Sequence, residues 1–184
     1  MLRGMPKPAL AKLPIPYLTH RDDTAWEGAV ILPEWADLRI QPGFGLGQTA
    51  RGSARLLVKA PKKQAAPSDE QVQTYRWLLE NQASVRDAVL KALLPYYKDE
   101  RAGITLGDPD LEARLMPSVR KAAEFQSKEL LQLTGIYLHG EARDGLCLVG
   151  LELACTWDNE HNVGVLTHRD EVLEVGQADI AFDR

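Results

Sequence analysis

The fold is decided by residues 146–168, which read LCLVGLELAC, then TWDNEHN, then VGVLTH. Two apolar runs flank a polar cluster, a pattern typical of two antiparallel strands joined by a turn. The first strand is expected to extend over residues 146–157. Similar apolar runs at 135–139 and 171–175 predict one more strand on either side of this pair. The C-terminal part of the chain, residues 135–184, therefore predicts a β-meander.

The middle of the chain, residues 68–131, carries helical signals. Ser68 and Gln71 form a capping box, which marks the start of an amphipathic helix. A break between two helices is expected near Asn81, and Pro95 is expected to end the second one. This region predicts the helical layer of the domain.

Two shorter helical segments are predicted between that layer and the meander. Asp108 followed by Pro109 is a signal for a helix start, because an N-cap residue precedes a proline at the first helical position. Residues 127–131 resemble one further helical turn. The helices are expected to cover one face of the sheet, since a half-apolar sheet has to bury that face.

The N-terminal part of the chain predicts an arm and further strands. Residues 1–25 hold four of the eleven prolines and predict a Pro-rich arm that either lies on the domain or is partly disordered. Within residues 26–60, partly alternating apolar positions predict strands at 29–32, 36–41 and 53–59. These strands are expected to join the sheet of the meander.

Together these elements predict a single α+β domain over residues 1–184. Its antiparallel sheet consists of the N-terminal strands and the C-terminal β-meander, covered by helices from the middle of the chain. A length of 184 residues with 45% apolar content is sufficient for one core without disulfides or metals. A last strand-like run is expected to end at Ala181 and Phe182.

Composition argues against several classes of function. No apolar segment approaches the ~20 residues of a membrane helix, and the Pro-rich start does not resemble a signal peptide, so a cytoplasmic protein is expected. A net charge of −4 argues against nucleic acid as the main partner. Cys147 and Cys155 would lie roughly 26 Å apart on one strand, too far for a disulfide. Both are expected to be small buried residues.

Negative charge is concentrated near the C-terminal end. Residues 156–184 contain seven acidic and two basic side chains, a net charge of −5. The excess fits either a solvated outer face or a docking surface for a basic partner.

The turn after Trp157 contains the residues that a catalytic or metal-site hypothesis would select. Asp158, Glu160 and His161 offer two carboxylates and an imidazole, which suit a divalent cation or acid–base chemistry. His168 would lie roughly 20 Å from His161, and His139 would lie roughly 20 Å from Glu152 along the shared strand, so the histidines cannot converge on one metal. A structural turn, a recognition surface and a metal site remain as alternatives. No residue is assigned a catalytic or metal-binding role, and no cofactor is expected.

The C-terminal residues resemble the signature of a large group of uncharacterised bacterial domains. The matching pattern is Trp-Asp-x-Glu-His-x-x-Gly-Val at 157–165, followed by Glu-Val-Gly at 174–176 and Ala-Phe at 181–182. The chain departs from the signature at Asn159 and Asn162, where Glu and Gly are preferred. The pattern assigns structural roles to Trp157, Gly164, Gly176 and Phe182. Gly164 within a strand predicts a bulge or close backbone packing, beneath the ring of Trp157.

The resemblance implies a domain of undetermined function, and similar small acidic domains look like immunity or accessory proteins that bind a toxin. We therefore expect a non-catalytic bacterial protein that binds a cognate basic protein or toxin. Its expected binding residues are Asp158, Glu160, His161, Asp170 and Glu171. The alternative is a metal-dependent hydrolase that uses the loop from Asp158 to His161. The oligomeric state stays open.

Overall fold

The computed structural model describes residues 15–42, 51–60 and 65–183. Seven strands form one sheet, and they are arranged in the order in which they occur along the chain. The strands are β1 (Thr19–Asp22), β2 (Ala25–Ile31), β3 (Ser53–Lys59), β4 (Leu131–Arg143), β5 (Leu146–Cys155), β6 (Val163–His168) and β7 (Glu171–Gln177). The helices are α1 (Asp69–Gly103), α2 (Pro109–Leu115), α3 (Glu124–Ser127) and α4 (Asp179–Phe182).

The predicted α+β class and the C-terminal meander are confirmed, with one correction to the sheet. Five neighbouring strand pairs are antiparallel, but β3 and β4 are parallel, with Arg55 opposite Gly135. A parallel pair requires a crossover connection, and the chain segment that contains α1, α2 and α3 provides it. The helical middle of the chain therefore joins the N-terminal strands to the meander.

The start of α1 has the predicted capping box. The Ser68 hydroxyl accepts a hydrogen bond from the Gln71 amide at 3.3 Å, and the Gln71 side chain accepts one from the Ser68 amide at 2.9 Å. Gln71 is fully buried, and its Nε2 donates to the carbonyl of Lys59 at 2.6 Å. The cap thus fixes the first turn of the helix against the end of β3.

The break predicted between two helices near Asn81 is present as a kink within α1, and the second part of the helix passes through Pro95. Asn81 has non-helical backbone angles (φ −117°, ψ 17°), and its side chain donates to the Trp77 carbonyl at 2.8 Å. The prediction that Pro95 ends the helix is wrong. Leu93 and Tyr97 on either side of Pro95 are fully buried, and this packing outweighs the local cost of an interior proline.

The strand predicted at residues 36–41 is wrong. A 3-10 turn, Pro33–Trp35, comes first and places the buried ring of Trp35 in the core. All residues of this segment are described, and within it only Ile40 forms a β-bridge, which pairs it with Leu130. The short helix near residues 127–131 also ends earlier than predicted, at Ser127, and Leu131 already belongs to β4.

The structure describes only residues 15–25 of the predicted Pro-rich arm. Residues 1–14 lie outside the described part of the chain. Ile15 is fully buried, Leu18 is 5% exposed, and β1 pairs with β2 from Thr19 onwards. Apolar side chains at these two positions therefore tie the second half of the predicted arm into the domain.

The main core lies between α1 and one face of the sheet. Its central residues alternate along the strands and pack against the helix: Leu56, Val58, Ile136, Leu138, Leu151, Val165, Val89 and Leu93. Because side chains alternate, the residues between them point to the opposite side of the sheet. We call this side, which contains Arg55, Leu57, Tyr137 and Glu152, the open face.

The C-terminal helix α4 lies on the open face, and this corrects the strand predicted to end at Ala181 and Phe182. An added Cβ at Gly150 would lie 2.8 Å from Cα of Ala181, and one at Gly164 would lie 3.0 Å from its nitrogen. The close packing predicted for Gly164 is thus present, but its neighbour is the C-terminal segment and not the ring of Trp157. The pairing of Gly164 with Glu152 and Gly176 is regular, so it forms no bulge.

Cys147 and Cys155 both lie in β5 as free, buried thiols. In the part of the chain that is described, no helix combines the length and apolar character needed to cross a membrane.

Candidate functional site

The turn between β5 and β6 is held together by two of the predicted site residues. The Asp158 carboxylate accepts hydrogen bonds from the backbone amide of His161 at 3.0 Å and lies 3.1 Å from Nδ1 of its ring. The Asp158 carbonyl accepts from the amide of Asn162 at 3.0 Å, and Asn162 has a positive φ of 58°. Asp158 and His161 therefore stabilise the turn, as Asp side chains do in many turns.

The three histidines near the meander lie in separate environments. Nε2 of His139 is 2.9 Å from the carbonyl of Ala181, and Nε2 of His168 is 2.7 Å from the carbonyl of Arg143. Both rings are buried, whereas His161 is exposed. Across the described ranges, no group of three or more His, Cys, Asp or Glu side chains is placed to hold a metal ion.

Asp170 and Glu171 lie at the opposite end of β6, where Asp170 is in the turn that leads into β7 and Glu171 is the first residue of β7. Asp170 accepts a hydrogen bond of 2.6 Å from the hydroxyl of Ser84 in α1. Glu171 is 3.8 Å from Arg143, and both side chains are largely exposed. The six residues of β6 separate this turn from the Asp158 turn by roughly 20 Å. The five predicted binding residues thus form two groups.

Strand β7 joins these two groups along the end of the sheet. It is the last strand in the sheet order, and it runs from Glu171 back towards the Asp158 turn, where the Ala178 amide donates to the His161 carbonyl. Glu160, Asp170 and Glu171 are exposed. We call β7 together with these three carboxylates the acidic edge.

A cavity of about 400 Å³ opens on the other half of the open face, away from the acidic edge. Its wall combines basic side chains from β1 and β3 with residues of the β1–β2 turn, β2, β3, β4 and α4: Arg21, Thr24, Ala25, Arg55, Leu57, Lys59, Tyr137, Leu138, His139 and Phe182. We call it the open-face cavity. Phe182 is 47% exposed, and its ring centroid is 5.5 Å from that of Tyr137.

Three side chains from three strands form a hydrogen-bonded chain beside this cavity. Arg55 donates to the Tyr137 hydroxyl at 2.8 Å, and the hydroxyl donates to Glu152 at 2.6 Å. Burial, followed by the contact with Glu152, raises the pKa of Tyr137 to about 12. The phenol therefore stays protonated at neutral pH and holds the Arg55 guanidinium in place.

The family model described as Domain of unknown function (DUF6985) matches residues 39–182. The chain belongs to the DUF6985 family. Searches of curated proteins and of solved structures returned no match. Membership in DUF6985 agrees with the expected resemblance to a domain family of unknown function, and the match spans the acidic edge as well as most of the wall of the open-face cavity.

Sequence reasoning on this DUF6985 chain missed Arg55, Tyr137 and Glu152. One signal was present, because Glu152 is the single charged residue in the apolar run of β5. A carboxylate in such a run requires a buried partner. The partner could not be identified from the sequence, since Arg55 and Tyr137 come together through the parallel pairing of β3 and β4.

Proposed function

We propose that this protein is a non-catalytic binding protein, immunity-like in character, that holds a basic partner protein against the acidic edge. The observation that carries the proposal is the placement of exposed carboxylates at both ends of the terminal strand. Glu160 lies at one end, and Asp170 and Glu171 lie at the other. A cognate basic protein or toxin would meet exposed carboxylates at both ends of β7.

The electrostatics of the acidic edge suit recognition of a charged partner. Individual exposed ion pairs contribute little stability, about 0 to 1 kcal/mol each. Several like charges on one surface nevertheless accelerate association with a basic protein and disfavour acidic partners. Because these charges are exposed, the effect should weaken as salt is added.

The dimensions of the acidic edge fit one partner protein. The two turns lie roughly 20 Å apart along β6. A standard interface of about 800 Å² on each partner is roughly 28 Å across, so a single partner can contact both turns. The exposed Leu173, 41% accessible in the middle of β7, adds an apolar contact between the charged ends.

The hydrolase alternative receives less support from the geometry of the Asp158 turn. The carboxylate of Asp158 and Nδ1 of His161 contact each other in shaping the turn, which leaves Nε2 of the ring for a metal or a proton. Within the described residues, no third side chain joins this pair in a group placed to hold a metal ion.

The test is charge reversal at the acidic edge. A partner is first isolated from the source cells and identified, and its affinity is then measured against the wild type and the variants Glu160→Lys and Glu171→Lys. Asp37→Lys is the matched control, because Asp37 has an exposed carboxylate on the connection between β2 and β3.

Each reversal at the acidic edge should lower the affinity about three- to tenfold and reduce its dependence on salt, while Asp37→Lys stays within about twofold. Equal affinities for all three variants would contradict the proposal. A partner that is absent at both low and physiological salt would contradict it as well.

A further inference from the structure

We propose that the open-face cavity binds a small organic acid, whose carboxylate pairs with Arg55 and whose apolar body packs against Tyr137 and Phe182. This site uses a different face of the sheet from the acidic edge, and it goes beyond the proposed function. No residue of this site belongs to the two acidic turns.

The first support is the size and shape of the cavity. Its volume of about 400 Å³ falls within the range of small-molecule sites, roughly 300 to 1,000 Å³. Leu57 and Tyr137 form a buried floor, and Phe182 forms an exposed wall. A ring-sized group can therefore lose much of its contact with water on entering.

The second support is the charge of the walls. Arg21, Arg55 and Lys59 contribute three positive charges. Glu152 lies 3.8 Å from Arg55 and, together with the nearby carboxylate of Glu27, offsets part of this charge, and Asp22 lies 3.9 Å from Arg21 at the rim. The side chains that line the cavity themselves include three cations and no carboxylate, so an anionic ligand is favoured over a cation.

The third support is that Arg55 is held in place before any ligand arrives. One guanidinium nitrogen donates to Tyr137, and the guanidinium carbon lies 5.9 Å from the centre of that ring. A guanidinium has five N–H donors in a planar fork, so donors remain for a planar carboxylate. A fixed donor loses less conformational entropy on binding than a flexible one.

The apolar wall selects an organic acid over an inorganic anion. Phe182 leaves nearly half of its surface in water, and a ligand ring lying against it and Tyr137 would cover that surface. Inorganic phosphate would meet the same cations but would leave the aromatic surface exposed. An aromatic carboxylate can pair with the cations and also cover the aromatic surface.

The probes that test this proposal are benzoate, the neutral isostere benzamide, and inorganic phosphate, each titrated into the full chain and followed by backbone amide NMR shifts. A ligand with about nine heavy atoms is expected to bind weakly, with a Kd of roughly 10 mM. Benzoate should shift the amides of Leu57, Tyr137 and Phe182 saturably. Benzamide and phosphate should each bind at least about tenfold more weakly.

The variants Arg55→Gln and Phe182→Ala separate the two parts of the site. Arg55→Gln should weaken benzoate about tenfold, and Phe182→Ala several-fold. Arg76→Gln is the matched control, because it removes one exposed positive charge from α1, which covers the opposite face of the sheet. It should change the Kd by less than about twofold.

Three results would overturn the proposal: benzamide or phosphate binding as tightly as benzoate, benzoate binding unchanged by Arg55→Gln, or no saturable shifts up to about 50 mM benzoate. If Arg55→Gln fails to fold, the ratio of benzoate to benzamide affinity and the Phe182→Ala variant decide the question.

Discussion

The packing of α4 on the open face predicts that Gly150→Ala destabilises the protein through one identifiable contact. An added Cβ would lie 2.8 Å from Cα of Ala181 and closer still to its carbonyl oxygen, whereas ordinary contacts begin near 3.4 Å. The helix would have to move outward by on the order of 1 Å. That carbonyl also receives the 2.9 Å contact from His139, which such a movement would break.

The size of the effect is limited by what holds α4 on the sheet. Overpacking costs about 1 to 3 kcal/mol. If α4 detaches instead, the protein loses one hydrogen bond, which contributes about 1 kcal/mol to the free energy of unfolding. It also loses the burial of Ala181 and of part of Phe182, which contributes roughly 1 to 2 kcal/mol. Gly150→Ala should therefore lower the free energy of unfolding by about 1 to 3 kcal/mol, whichever route it takes. Gly140 has open space around its Cβ position, so Gly140→Ala is a matched control with an expected change within about 0.5 kcal/mol.

Urea denaturation of four proteins measures this contact directly: the wild type, Gly150→Ala, a chain that ends after residue 178, and the combination of both changes. Without α4 the added methyl has no neighbour to displace, so Gly150→Ala should cost less than about 0.5 kcal/mol in the shortened chain. Equal costs in both backgrounds would refute the packing described for α4. Equal stabilities of Gly150→Ala and Gly140→Ala would refute it too.

Three further predictions follow from buried groups. Trp157→Ala should lower the free energy of unfolding by about 3 to 5 kcal/mol in urea denaturation, because the buried ring packs 4.7 Å from that of Tyr97, and a loss below about 1 kcal/mol would contradict this. Burial raises the pKa of the Cys155 thiol to about 12 and also raises that of Cys147, so neither should react with a thiol reagent at pH 8 until the protein unfolds. The pKa of Tyr137 is raised in the folded state, so its contribution to stability is complete below pH ~10 and is lost as the pH rises towards 12. Urea denaturation across this range should show a smaller alkaline loss for Tyr137→Phe than for the wild type.

Elements specified by neighbouring residues could be predicted from the sequence. The capping box at Ser68 and the cap at Asp108 depend on contacts within one helical turn, and both are present. The strands of the meander follow from alternating apolar runs separated by polar turns. Their order and pairing are also as expected, because short turns join sequential antiparallel strands.

Elements that depend on distant residues could not be predicted in the same way. The parallel pairing of β3 and β4 is specified by the long connection through α1, and no local pattern reports it. The C-terminal segment around Ala181 has too few residues to show a helical period. Its position depends on Gly150 and Gly164, which leave space for the backbone on two adjacent strands.

The candidate site likewise has features that could be predicted from neighbouring residues and features that depend on distant ones. The sequence placed Asp158, Glu160 and His161 together in one turn, and the structure keeps them there with Asp158 bonded to His161. Asp170 and Glu171 lie at the far end of β6, as the predicted strand between the two turns implies, whereas the contact of Asp170 with Ser84 of α1 joins distant residues and could not be predicted.

The central claim is that the protein works by holding a basic partner at the acidic edge, and isolation from the source cells at natural expression levels tests it most directly. Protein and metal content are measured on the same sample, for the wild type and for Glu160→Lys with Glu171→Lys. We predict that a basic protein partner is isolated with the wild type in stoichiometric amount and is absent from the double variant. A stoichiometric metal ion with no protein partner would contradict the claim and would favour a hydrolase built on Asp158 and His161.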